Sequence, residues 1–311
     1  MAETEEKKIP SEKEIREALA LLGFAGEGTV TLKAFTSEEN GAEYAVWLVS
    51  RGNDRYVLKK AKGYEREVYG CFFREKKQYV PQLLGECSPG GDDYILLEYC
   101  EGEDLRVCDR QRLVKALDAL CMMQDEYWQR DDLYDKAVTM DKALEAITDR
   151  GRWLGSELLE KAYADFTEGY KRTPRSLCHD DLLPINVLVG ERAVLIDWEY
   201  GGVLPYLSSF ARLIAHGRDD RNCYFYLSEE DRAFAVDCFY HMLPEKHGIA
   251  YEQYRTDLDH FLFYEYCEWV MLGNRYEEGR DDERFGYYVK LAEEAARRII
   301  GESPEEIKID S

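Results

Sequence analysis

The sequence predicts an α+β fold arranged as two lobes. Alternating and β-branched runs, separated by Gly- and Asn-containing turns, are confined to about the first hundred residues. From residue 110 onward, apolar residues recur at helical spacing in one long segment after another. One β-like run, residues 193–196, interrupts those helices and is followed at once by an acid. Strands first and helices afterwards is the pattern of a sheet lobe joined to a helical lobe, and 311 residues are enough for sizeable cores.

Taken in order, residues 1–10 form a charged tail, and Ser11 with Glu14 three positions on opens a short amphipathic helix over 11–22. Residues 29–35, 43–50 and 55–61 read as strands of an antiparallel sheet, separated by Ser-Glu-Glu-Asn-Gly and Arg-Gly-Asn-Asp turns. Residues 63–77 have helical period, with Val68, Cys71 and Phe72 on one face. Two more strands, 81–87 and 94–98, flank a Pro-Gly-Gly turn. After Gly102, helices are expected over 110–129, 141–148, 156–171, 206–216, 229–242, 251–272 and 282–300, with a frayed end at 303–311. The chain thus divides into an N-terminal lobe, 1–98, a connector, 99–102, and a C-terminal lobe, 103–311.

His179, Asp181 and Asn186 follow the spacing H-x-D-x-x-x-x-N in a polar loop, and Asp197 closes the run 193–196. A loose phosphoryl-transfer transition state needs a carboxylate to orient the attacking hydroxyl and oxygen ligands to hold Mg²⁺ against the phosphates. Asp181 suits the first role; Asn186 and Asp197 suit the second. A lone H-x-D would carry little weight in a chain that is 33% charged. The full spacing, with a second acid at the end of the next apolar run, supplies the context that a motif needs.

These residues resemble the aminoglycoside phosphotransferase and choline kinase family. Ile196-Asp197-Trp198-Glu199 matches the I-D-W-E form usual there, departs from the Asp-Phe-Gly of protein kinases, and no Ala-Pro-Glu follows it. The resemblance runs from about residue 28 to about residue 217. It implies a protein-kinase-like two-lobe fold, with an antiparallel-sheet N-lobe and a mainly helical C-lobe, and an ATP- and Mg²⁺-dependent transfer to the hydroxyl of a small molecule. It further implies that Lys59 binds the α- and β-phosphates and that Glu67, from the following helix, pairs with it; the competing explanation is a pair of surface charges, with Lys60 and Glu65 beside them as exposed alternatives. Strand alternation agrees in placing Val57 and Lys59 on one face and Lys60 on the other.

By the same resemblance the connector is a hinge, where the backbone C=O of Glu98 and N–H of Cys100 would read a purine edge; ATP is expected, with GTP as the alternative. The turn after the first strand is no G-x-G-x-x-G. Ser37, Asn40 and Gly41 are its candidate phosphate contacts, and a plain hairpin turn explains them nearly as well. His179 takes a scaffold role. Where the family has a Pro-x-x-Asp-Leu-Ala helix start, Ser208 or Ser209 replaces the acid, which leaves the anchoring of the catalytic loop open.

On the acceptor side, Leu258, Leu262, Glu265, Trp269 and Leu272 share a helical stripe, with Glu268 one position off it. An acid in an apolar stripe beside an indole suits a ligand ammonium; a salt bridge at the helix edge is the competing explanation. Asp181 is expected to keep an ordinary low pKa unless it is desolvated.

The net charge of -22 is concentrated after residue 98: residues 1–98 carry -4, from 14 Lys plus Arg against 18 Asp plus Glu, leaving -18 for the rest. That balance disfavours nucleic acid and anionic membranes as partners. It favours an amine-bearing acceptor, aminoglycoside-like or an amino alcohol. The alternatives are a kinase of a neutral sugar or hydroxy metabolite, and a non-catalytic nucleotide-binding regulatory module. The usual sign of the latter, loss of Lys59, Asp181, Asn186 or Asp197, is not seen. No apolar stretch approaches the roughly 18 to 20 residues that span a bilayer, and residues 1–10 lack an apolar signal core. Nine cysteines, an odd number without C-x-x-C, read as reduced thiols. A cytoplasmic protein without a structural metal is the expectation.

Overall fold

The computed structural model describes residues 9–24, 29–37, 41–106, 108–216, 227–276 and 283–301. Ser11 caps helix α1 (Glu12–Leu19) with a reciprocal capping box to Glu14, as the sequence predicts. Five strands follow: β1 (Val30–Thr36), β2 (Glu43–Arg51), β3 (Asp54–Lys60), then, after helix α2 (Glu65–Phe72), β4 (Leu83–Cys87) and β5 (Tyr94–Glu98). They form one antiparallel sheet in the order β1-β2-β3-β5-β4.

Alternation along β5 shows how the sheet is buried on both faces. Tyr94 and Leu96 join Leu58, Trp47 and Val49 under α1, in a cluster of their own. Ile95 and Leu97 point the other way, into the large core that continues through α2 into the C-terminal lobe. The strand phase expected for β3 is the one observed: Val57 packs on the large core and Leu58 on the α1 cluster.

Helix α2 is shorter than the expected 63–77. It ends because Phe72 and Phe73, adjacent in sequence, are both buried: Phe73 leaves the helix and packs edge-on against Trp198 at 4.8 Å. The helices of the second lobe are α3 (Arg110–Glu126), α4 (Met140–Gly151), α5 (Glu157–Arg172), α6 (Leu207–Ala215), α7 (Glu229–Met242), α8 (Tyr251–Arg275) and α9 (Glu283–Ile299). Short strands interrupt them. β6 (Glu103–Asp104), β8 (Val187–Val189) and β9 (Ala193–Leu195) form one small sheet, and β7 (Arg175–Cys178) pairs with β10 (Gly202–Pro205). The loop from β7 to β8 holds the H-x-D-x-x-x-x-N residues, and a single residue, Ile196, separates the end of β9 from Asp197. Among the described residues no helix is long and apolar enough to cross a membrane.

Candidate active site

Local backbone contacts draw the two ends of the motif together. Ile196 N–H donates to the backbone oxygen of Asn186 at 2.9 Å, and His179 Nε2 meets the Ile196 carbonyl at 2.7 Å. Both grips fall on the residue before Asp197. His179 is buried beside Trp198, and burial pushes its pKa down to about 4, so it is a neutral scaffold residue whose Nε2–H donates. Its backbone N–H donates to Ser209 Oγ at 2.8 Å. Ser209 therefore anchors the loop where the family's acid was missing, and Ser208 instead caps back onto the Pro205 carbonyl at 2.8 Å.

Asn186, 6% exposed, donates through Nδ2 to the Asp181 carbonyl at 2.8 Å. Its side-chain oxygen accepts no hydrogen bond from the described residues. Asp197 adopts a left-handed φ of 70°, uncommon outside glycine although aspartate tolerates it better than most side chains. One carboxylate oxygen, Oδ1, takes Lys59 Nζ. Burial works against that acid's charge, but the Lys59 ammonium outweighs it and holds the carboxyl below its usual range. The Asn186 side-chain oxygen and Asp197 Oδ2 are thus left without a hydrogen-bond donor among the described residues, on two segments that the Ile196–Asn186 backbone bond ties together. That donor set suits a hard divalent cation such as Mg²⁺, which takes one or two protein oxygens and completes its shell with phosphate and water.

Lys59 is 8% exposed and reaches Glu65 Oε1 at 2.8 Å as well as Asp197. Burial opposes its charge, yet Glu65 and Asp197 together raise its pKa. The expected partner, Glu67, is not there: its Oε1 accepts the Ala137 backbone N–H at 2.9 Å. The reason is the entry angle of α2. Tyr64 N–H donates to the Glu199 carbonyl at 2.9 Å, and Gly63, at φ +50°, lies so close that a Cβ there would stand 2.4 Å from the same oxygen. This contact turns the first helical residue, Glu65, inward. Glu65 is fully buried, and the backbone N–H of Trp198 reaches its Oε1 at 3.3 Å.

The turn after β1 is also corrected. Ser37 N–H donates to Ala42 and Gly41 N–H to Ser37, at 2.8 and 2.9 Å, so both donors close the hairpin and neither is left for phosphate. Asn40 lies outside the described residues. At the connector, Glu98 N–H is spent on the Gln82 carbonyl, and its carboxylate accepts Gln82 N–H and Arg192. Cys100 is half-buried, with its thiol pKa pushed up by burial and by Glu98.

Asp181 is desolvated, and burial raises its pKa against the pull of Arg212. The acids expected to meet a ligand ammonium are occupied by the chain's own cations. Glu265 Oε2 accepts Arg212 Nη1 at 2.9 Å; Glu268 accepts Arg212 as well as Arg150, the latter at 2.8 Å. A buried carboxylate needs such a partner. One face of Trp269 stacks on Tyr288 at 5.4 Å, and Arg284 lies 4.4 Å from its ring centre. Sequence reasoning missed Arg212, Arg150 and Asp180. Asp180, at φ +58°, has its pKa pushed up to about 7 by burial and by Glu265.

The profile of the phosphotransferase enzyme family matches residues 34–236, which include Lys59, Glu65, the whole catalytic loop and Arg212. The chain belongs to that family. The chain is 26% identical over 147 residues to Protein LicA of Haemophilus influenzae, a match that spans about half of each chain, 47% of this one and 51% of LicA. Its fold resembles that of choline kinase LicA from Streptococcus pneumoniae, with a TM-score of 0.56 at 16% identity over 92% of this chain and 99% of that one. It also resembles aminoglycoside phosphotransferase APH(4)-Ia, in a ternary complex with ADP and hygromycin B. There the TM-score is 0.53 at 14% identity, over 94% of this chain and 99% of that one.

Proposed function

We propose that this protein is an ATP- and Mg²⁺-dependent kinase that transfers the γ-phosphoryl group to a hydroxyl of a small, amine-bearing acceptor. The reading is carried by one observation: Lys59, held by Glu65, meets Asp197 at the mouth of the loop that carries Asp181 and Asn186. Lys59 binds the α- and β-phosphates, and Glu65, in place of Glu67, orients it. Asn186 and Asp197 hold the metal, which supplies positive charge to the phosphates when bound. Asp181 aligns the acceptor hydroxyl and takes its proton; its raised pKa makes it a better base than an exposed aspartate. Residues 1–98, 99–102 and 103–311 act as nucleotide lobe, hinge and acceptor lobe, with the adenine against the backbone at Glu98 and Cys100.

Charge supports the amine. Around the acceptor side Asp180, Asp181, Glu265 and Glu268 are met, among the described residues, by Arg150 and Arg212 and by the imidazole of His216, so carboxyls outnumber the arginines. A second reading, a neutral sugar or hydroxy metabolite as acceptor, is favoured by the engagement of Glu265 and Glu268 with those arginines.

Mg²⁺-dependent ADP release across choline, hygromycin B, streptomycin, glucose and ribose tests both. Stimulation by an amine-bearing compound is expected; stimulation by the sugars alone selects the second reading. Asp181→Ala should lower turnover at least about a thousandfold with ADP affinity nearly unchanged. Asp197→Ala should weaken Mg-nucleotide binding itself, measured by calorimetry. Full turnover in Asp181→Ala would overturn the assignment.

A further inference from the structure

Arg212 projects from α6 with its side chain 17% exposed and meets three carboxylates at once. Nε and Nη2 donate to Asp181 at 3.1 and 2.9 Å, and both bonds fall on the same oxygen, Oδ1. Nη1 donates to Glu265 and Glu268 of α8 and lies 3.3 Å from His216 Nε2. A fork-on-fork pair would occupy both oxygens of the carboxylate. Here Oδ2 of Asp181 receives no hydrogen bond from the described residues. The catalytic loop itself contains no Lys or Arg between His179 and Val189, so the cation comes from a distant element.

We propose that Arg212 is a positioning residue for phosphoryl transfer: it clamps Asp181 through Oδ1, leaves Oδ2 to the acceptor hydroxyl, and ties that clamp to Glu265 and Glu268 on α8. The inference rests on Asp181 being the group that orients the hydroxyl. In the step it serves, the hydroxyl oxygen forms the bond to the γ-phosphorus, the bond to the bridging oxygen breaks with its electron pair going to ADP, and the hydroxyl proton passes to Oδ2. A carboxylate free to rotate would spread that oxygen over many positions. Fixing it recovers the rate that misalignment costs, on the order of a hundredfold for a displacement of about 1 Å. An acceptor group that engages Glu268 draws on the same guanidinium, so seating of the acceptor is transmitted to Asp181 by one side chain.

Steady-state ADP release is measured for Arg212→Gln, Arg212→Lys and Asp181→Asn, with choline, hygromycin B, glucose or water alone as acceptor. Rates are expressed per nucleotide site titrated with ADP, which removes any unfolded fraction. The Gln variant should lose about a hundredfold in kcat while its KM for ATP stays within about twofold, and Lys, which keeps the charge without the fork, should fall between it and wild type. A helix staple alone would lower the titrated sites and leave kcat per site intact. That result, or kcat within about threefold of wild type in both variants while Asp181→Asn is inactive, overturns the inference alone. Full turnover in Asp181→Asn overturns the reading beneath it. If the Gln variant melts below the assay temperature, Lys decides: kcat within about threefold of wild type overturns the proposal.

Discussion

At the scale of single residues, the exchange of Glu67 for Glu65 is open to direct test. Glu65→Gln should raise the KM for ATP about tenfold, on the order of 1.4 kcal/mol, because Lys59 loses its buried partner, while Glu67→Gln should leave that constant nearly unchanged. Asp180 supplies a pH signature. Its carboxyl is held near 7 when folded against an ordinary value of 3.8, so the folded state binds the extra proton between those values. The stability this contributes is full below about pH 4 and is lost as pH rises through about 7. The melting temperature of Asp180→Asn should therefore rise relative to wild type between pH 5 and pH 8; no change in the difference would contradict the burial of that group. Lys59, Asp181, Asn186 and Asp197 were legible as positions because strand phase and loop spacing are local. Glu65 was not, since its inward turn is set by a contact with Glu199, more than a hundred residues on. Arg212 lies 31 residues beyond Asp181 without a motif of its own, so no spacing signals it.

At the scale of elements, α2 depends on its entry. Gly63→Ala places a methyl 2.4 Å from the Glu199 oxygen at a positive φ, and should cost about 2 kcal/mol or more by denaturant midpoint; a cost below about 0.5 kcal/mol would mean that the approach is not needed. Ser209→Ala leaves the buried His179 N–H without its acceptor and should cost about 1–3 kcal/mol. The helices after residue 102 were readable from apolar period, and α7 falls on its expected bounds. The end of α2 was not, because two neighbouring phenylalanines satisfy the core only by leaving the helix.

At the scale of the whole molecule, the two-lobe division was visible in the passage from strands to helices, but the continuity of the core was not. Val68, Tyr69, Phe72, Phe73, Ile95 and Leu97 belong to the same buried cluster as α3, α5 and α8. Residues 1–98 expressed alone should therefore lack a cooperative thermal transition, since about half the sheet would face water; a sharp melt for that fragment would show that the lobe is self-sufficient.

Leu58 faces α1 while Lys59, its neighbour in the chain, faces the site, so one strand serves two packings that meet only through its backbone. What covers the outer face is thereby released from the chemistry of the inner one. The cover is thus an exchangeable part in the physical sense: another helix, an inserted loop or a second subunit could stand in for α1, provided that β3 keeps its position, without altering what the inner face presents.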